Sequence, residues 1–244
     1  MRKFGDIISF THFTNFILFA FLFFVFSNAA FAEVVGYDSV TATHKTIQLK
    51  ALTKGKFFPE GGRLVGFYLD GKHIGTNLSG GDGYALLEYV PLSSGIKHIK
   101  VKAGNDTDEG VLLITEKNDR VLLIEMEGTL YESPFPLQPQ KGSKEALQRL
   151  SKKFRIVYLT SMIGMKESRR WLKENGFPFS VVLKWKGTAL LDELQEQDVK
   201  PYAVIGSPAV ITECKEHIKK RFSFEDAEDG MVVKDWKELL KKLK

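Results

Sequence analysis

Two glutamates separated by one residue, Glu125 and Glu127, stand at the end of the apolar run Val121-Leu122-Leu123-Ile124 and directly before Gly128 and Thr129. A strand that ends on two carboxylates at this spacing and runs into a Gly-Thr turn usually carries phosphoryl chemistry. Thr160 and Ser161 close a second apolar run, Ile156 to Leu159, and Gly206-Ser207 closes a third, Ala203 to Ile205. Backbone N–H groups of a Gly-Thr turn, a threonine or serine hydroxyl and a lysine can together hold an anion without a metal. The residue types therefore point toward phosphoryl transfer or phosphate binding.

Such groups meet only if the fold gathers them. From residue 117 onward, strand-like apolar runs alternate with helical stripes. Ala146, Leu147, Leu150 and Phe154 recur at helical spacing, and the helix after Met165 is stopped by Gly176 and Pro178. Alternation of this kind implies a parallel sheet with helices on both faces, a Rossmann-type three-layer α/β domain over residues 117–244. Ligands of such sheets bind at the carboxyl ends of the strands. Glu125, Thr160, Ser161, Gly206 and Ser207 all fall there. In the structural alternative, Thr160 and Ser161 simply cap the helix that follows them.

Residues 33–116 follow a different period. Short alternating segments are separated by Gly61-Gly62, Asp70-Gly71, Gly80-Gly81-Asp82-Gly83 and Ser94-Gly95, the pattern of an all-β sandwich. Asp70-Gly71 suits a tight hairpin whose central residues need positive φ. His44, His73 and His98 occur singly and read as surface or strand-face residues, not metal ligands. Asp82 reads as part of a turn.

Residues 1–32 form the third segment. Arg2 and Lys3 precede the unbroken apolar run Ile17 to Phe26, and Ala30-Phe31-Ala32 supplies a small-x-small site. These are the parts of an export signal cleaved after Ala32, leaving a periplasmic or extracellular protein. The run is short of the ~20 residues that span a bilayer, so an uncleaved anchor is the alternative.

The 244 residues are 43% apolar and 27% charged, a composition of folded rather than disordered chains. The formal net charge is +5, and its surplus lies in residues 117–244, which carry 24 Lys/Arg against 19 Asp/Glu. Lysines and glutamates alternate along predicted helices, which reads as solvated surface, and no nucleic-acid motif is present. Cys214 is the single cysteine, so no intramolecular disulfide can form.

Two resemblances add to this reading. Val65 to Val101, with its Asp70-Gly71, Ile74-Gly75 and Tyr89-Val90-Pro91 phrases, resembles bacterial immunoglobulin-like repeat domains. Residues 117–244 resemble the haloacid dehalogenase (HAD) superfamily of phosphatases, whose D-x-D-G-T phrase stands here as Glu125-Met126-Glu127-Gly128-Thr129. The phrase from Tyr158 to Phe179, with Arg169, Arg170 and Trp171, is similar to the branch found in lipins and at the C-terminus of phosphatidylinositol transfer proteins. The resemblance implies Glu125 as nucleophile, Glu127 as acid/base, and Gly128, Thr129, Thr160, Ser161 and Lys186 (or Lys184) as phosphate ligands. It also implies Mg²⁺, held partly by an acid that this chain lacks: Ser207, Val210, Ile211 and Thr212 stand there. Serine is a poor replacement for a carboxylate on a hard cation. A nucleophile one methylene longer is displaced by roughly an ångström, a misplacement that can cost ~10²-fold in rate.

The expectation is an exported, HAD-like pseudophosphatase with no metal and no cofactor, serving as a binding or structural module for a phosphorylated ligand, an anionic lipid or an envelope protein. The first alternative is a Mg²⁺-dependent phosphohydrolase using Glu125 and Glu127. The second is an envelope adhesion or scaffold protein that works through the immunoglobulin-like domain.

Overall fold

A computed structural model describes residues 33–134 and 137–243. The predicted export signal lies outside the described residues. Eight strands come first: β1 (Glu33–Gly36), β2 (Ser39–Ala42), β3 (Ile47–Lys54), β4 (Leu64–Leu69), β5 (Lys72–Leu78), β6 (Tyr84–Tyr89), β7 (Gly95–Ala103) and β8 (Asp106–Thr115). They form a three-stranded sheet, β1-β3-β6, facing a five-stranded sheet, β2-β8-β7-β4-β5. Side chains alternate between buried and exposed over the first half of β3 and from His98 to the end of β7, because successive Cβ atoms of a strand point to opposite faces. Leu49, Ala51, Val65, Phe67, Val101 and Leu112 meet between the sheets as a core. Asp70 and Gly71 turn β4 into β5 with φ of 48° and 81°, the left-handed pair that the hairpin required.

The chain then enters β9 (Val121–Glu125), a short hairpin of β10 (Tyr131–Pro134) and β11 (Leu137–Pro139), and α1 (Ser143–Leu150). The remaining elements are β12 (Arg155–Thr160), α2 (Met165–Glu174), β13 (Val181–Lys184), α3 (Thr188–Glu196), β14 (Pro201–Ile205), α4 (Pro208–Glu213), β15 (Lys220–Ser223), β16 (Met231–Val232) and α5 (Trp236–Lys242). The sheet runs β13-β12-β9-β14-β15-β16, with every neighbouring pair parallel. Helices cover both faces, and β9 is buried along its whole length, as parallel strands sandwiched by helices are.

Successive strands first run outward from β9 through β12 to β13, then return to its other side with β14. Strand order thus reverses at β9, and in open parallel sheets it is at the carboxyl end of the strands beside such a reversal that ligands bind. On one face Ile124 and Met126 pack with Leu147, Leu172 and Trp236. On the other, Leu123 and Leu159 pack with Leu190, Leu194 and Ile211, and this second core also takes in Val40, Val111 and Leu113 from the sandwich. The two halves share an interior. Truncating one of its leucines to alanine is expected to cost about 2–5 kcal/mol.

Cys214 is buried in that shared core, where desolvation pushes its thiol up to about 12. It is a packing residue. Of the tryptophans, Trp236 is core, Trp171 stacks on Phe177 at 5.1 Å, and Trp185 is packed against the second core.

Candidate functional site: a crevice closed by its own carboxylates

Glu125 ends β9, between Thr160 at the end of β12 and Gly206-Ser207 beyond β14. Its side chain is buried, and Oε2 accepts the backbone N–H of Ser207. Burial is the main reason its carboxyl is held above the ordinary carboxylate range; the Ser207 hydrogen bonds pull it back down, and the charges of Glu127 and Glu225 add to the rise. Space around it is tight. A Cβ on Gly128 would lie 2.6 Å from Glu125 Oε2 and 2.7 Å from Ser207 N, so glycine at 128 is required by close approach.

The residues after Glu125 wind into a turn. Met126 N–H donates to the Leu159 carbonyl at 2.9 Å, and Leu130 N–H donates to Met126 O at 2.9 Å. Thr129 was expected to donate to a phosphate. Instead its hydroxyl donates to the Glu125 carbonyl, and its N–H points to Met126 O at 3.4 Å.

Glu127 has the more telling position. Its Oε1 accepts from Thr160 Oγ1 at 2.7 Å, Ser161 N at 3.0 Å, Met162 N at 3.0 Å and Ile163 N at 3.4 Å. Three consecutive backbone N–H groups converging on one oxygen make an anion nest. It lies in the loop that leads into α2. The other oxygen, Oε2, is buried and meets no hydrogen-bond partner among the described residues. Thr160, whose hydroxyl was expected to hold phosphate, is thus engaged by an internal carboxylate, and Ser161 is engaged through its backbone N–H rather than the expected hydroxyl. Neither caps α2, whose N-cap position falls to Gly164 without a side-chain cap.

The expected lysine goes elsewhere. Lys186 Nζ lies 3.1 Å from Glu193 Oε1 in an exposed ion pair on α3, and Lys184 is exposed at the end of β13. Glu213 leans toward Gly187: its Oε2 would lie 2.9 Å from a Cβ there. Among the described residues, no three His, Cys, Asp or Glu side chains gather so as to hold a metal ion. The donor set does not fit Mg²⁺ either. Glu125 Oε2 is taken by an N–H, Glu127 Oε1 by four donors, and Ser207 offers no carboxylate.

Two residues that sequence reasoning gave no structural weight hold the halves together. Asp38, in the short link between β1 and β2, accepts from Val111 N at 2.8 Å, Val182 N at 2.7 Å and the Arg169 guanidinium. Arg169 also donates to the Glu109 carbonyl at 2.9 Å. Arg169 had been noticed only for its place in a phrase. Asp38 had no local signal, since its three partners come from β8, β13 and α2. His98, expected to be a surface or strand-face residue, lies on β7 and stacks on Phe179 with ring centroids 4.9 Å apart.

No protein-family model matches the chain, and no curated protein does. Some solved structures resemble part of it. The CARDB domain of the PF1109 protein from Pyrococcus furiosus, in complex with di-metal ions, is 15% identical at TM-score 0.27, over 35% of this chain and 89% of that one. An IG27 protein domain is 16% identical at TM-score 0.29, over 36% and 96%. The tandem Ig repeats of Dlar are 12% identical at TM-score 0.29, over 42% of this chain and 60% of that one. The β-sandwich described above rests on its own two sheets and core.

Proposed function

We propose that the protein is an exported, non-catalytic interaction module. The immunoglobulin-like sandwich presents the working surface to a partner in the cell envelope. The α/β unit is a HAD-like domain kept for its architecture. The observation that carries this reading is Glu127 seated in the nest of Thr160, Ser161, Met162 and Ile163. The carboxylate supplies internally the charge that a phosphate would bring, so the anion site is satisfied without a ligand.

Catalysis would require Glu127 to leave that nest and Glu125 to give up the Ser207 N–H. It would also require a phosphate dianion to enter beside carboxylates with no metal to neutralise it, although such neutralisation is central to phosphoryl transfer. Assay of the purified protein against a generic phosphate monoester, with and without Mg²⁺, tests the reading. No turnover above background is expected. Turnover that disappears in Glu125→Gln would instead establish the phosphohydrolase alternative. N-terminal sequencing of the exported protein tests cleavage after Ala32.

A further inference from the structure

Four cations share one face of α2. Lys166, Arg169, Arg170 and Lys173 follow one another at i, i+3, i+4 and i+7, a spacing that sets them side by side along the helix. That face lines a groove of about 720 Å³ at the seam between the two halves, with residues of β8 on the other side. Lys166 with Arg170, and Arg169 with Lys173, are like charges at i, i+4, which repel each other. A solvated helix face ordinarily alternates its signs; this one gathers positive charge along the groove.

Internal partners account for two of the four. Arg169 is held by the Asp38 carboxylate and the Glu109 carbonyl. Lys166 Nζ stands 3.9 Å from both Glu33 Oε1 and Asp108 Oδ1, and Asp108 Oδ2 also accepts Gly36 N–H at 3.0 Å. Arg170 and Lys173 are exposed and form no ion pair among the described residues. Glu109 is the one carboxylate of the lining outside an ion pair, so the charge left uncompensated in the groove is positive.

The rest of the lining is largely apolar. Val111, Leu172 and Phe177 are buried there, and Phe179 is 54% exposed. The Phe179 ring stacks on His98 with 18° between the ring planes. A cleft at a domain junction, apolar with a few converging charges, is the usual form of a small-molecule site, for which ~300–1,000 Å³ is typical.

We propose that this seam binds a small organic anion with a flat apolar body, an aryl carboxylate or sulfonate. Its ring lies over Leu172 and Phe177 beside Phe179, and its acid group sits between Arg170 and Lys173, relieving their repulsion with the neighbouring cations. Arg169, already committed to Asp38, is a fixed part of the wall. The inference goes beyond the proposed function, and the groove shares no lining residue with the Glu125 crevice.

The test is calorimetric titration of the purified protein with three naphthalenes that differ only in the head group: 1-naphthoate, 1-naphthalenemethanol and 1-naphthylmethylamine. Naphthoate should bind best and the amine worst. Arg170→Gln and Lys173→Gln should each weaken naphthoate binding by up to about fivefold, and Phe179→Ser by roughly tenfold. All three side chains are exposed, so the melting temperature should hold in each variant. Absence of naphthoate binding overturns the proposal, as does equal or tighter binding of the amine. Undiminished binding by Phe179→Ser or by the double variant Arg170→Gln/Lys173→Gln places the ligand elsewhere and also overturns it. So does a lowered melting temperature of that double variant, which would mean that the two cations already have partners within the chain. None of these results bears on turnover of a phosphate ester, so the two proposals fail separately.

Discussion

The Asp38 carboxylate and the Arg169 guanidinium, 131 positions apart in the chain, form an ion pair in which the Asp38 side chain is fully buried. The same carboxylate takes the N–H of Val111 from the sandwich and of Val182 from β13, the edge strand of the parallel sheet. One side chain thus satisfies backbone donors of both halves and holds a cation from α2.

Asp38→Ala should be costly for that reason. It leaves an arginine and two buried N–H groups without their acceptor, and breaking a buried pair by removing one partner costs about 3–5 kcal/mol. Urea unfolding should show the midpoint falling accordingly, with Asp38→Asn losing less because it keeps an acceptor. A loss under about 1 kcal/mol, the usual worth of a surface pair, would show that the network contributes little.

Glu127→Ala should empty the nest. Without added anion the variant is expected to lose about 1.5–3 kcal/mol, the range for hydrogen bonds to a charged group. Inorganic phosphate should then raise its melting temperature and leave that of the parent protein unmoved. At a hundredfold excess over its dissociation constant, phosphate would return about 2.7 kcal/mol. Equal phosphate response in parent and variant would mean that the carboxylate does not close the site.

Glu125 gives a pH dependence of defined sign. Its folded value is raised above its ordinary value near 4.5. Between the two, the native state holds a proton that the unfolded chain has lost, so stability falls as pH rises through this window. Glu125→Gln keeps an acceptor for Ser207 N–H and removes the titration. The variant should match the parent in acid and exceed it at neutral pH, as read from thermal unfolding across that range. A parent that becomes more stable relative to the variant as pH rises would contradict the direction.

Gly128→Ala probes the crowding around Glu125. The added methyl would sit 2.7 Å from Ser207 N, a backbone atom that cannot swing aside. Overpacking of this kind costs about 1–3 kcal/mol. Thermal unfolding measures it, and a neutral outcome would show that the turn after β9 is free to shift.

The sequence was most legible where the cause is local. Alternation marked the sandwich strands, Asp70-Gly71 marked its hairpin, and the β9, β12 and β14 ends brought Glu125, Thr160 and Ser207 to one crevice as the chain order required. What the crevice does with those groups was not legible. That Glu127 would turn into the nest of Thr160 and Ser161 depends on side-chain length and on the path of the loop through Ile163. That Lys186 would settle on Glu193 depends on a nearby partner on the next helix. Asp38 was invisible for the strongest reason: a solitary aspartate before a serine looks like any turn, and its importance comes from strands and a helix that lie 73 to 144 positions away.

Val40, Val111 and Leu113 lie in one greasy interior with Val181, Leu183 and Leu190. Cutting the chain after Thr115 would leave each fragment with a raw oily flank, prone to clump. Unlike beads threaded on a string, these halves cannot be shuffled one at a time into new arrays; a lineage that discards the α/β half would have to rebuild the wall of the sandwich as well.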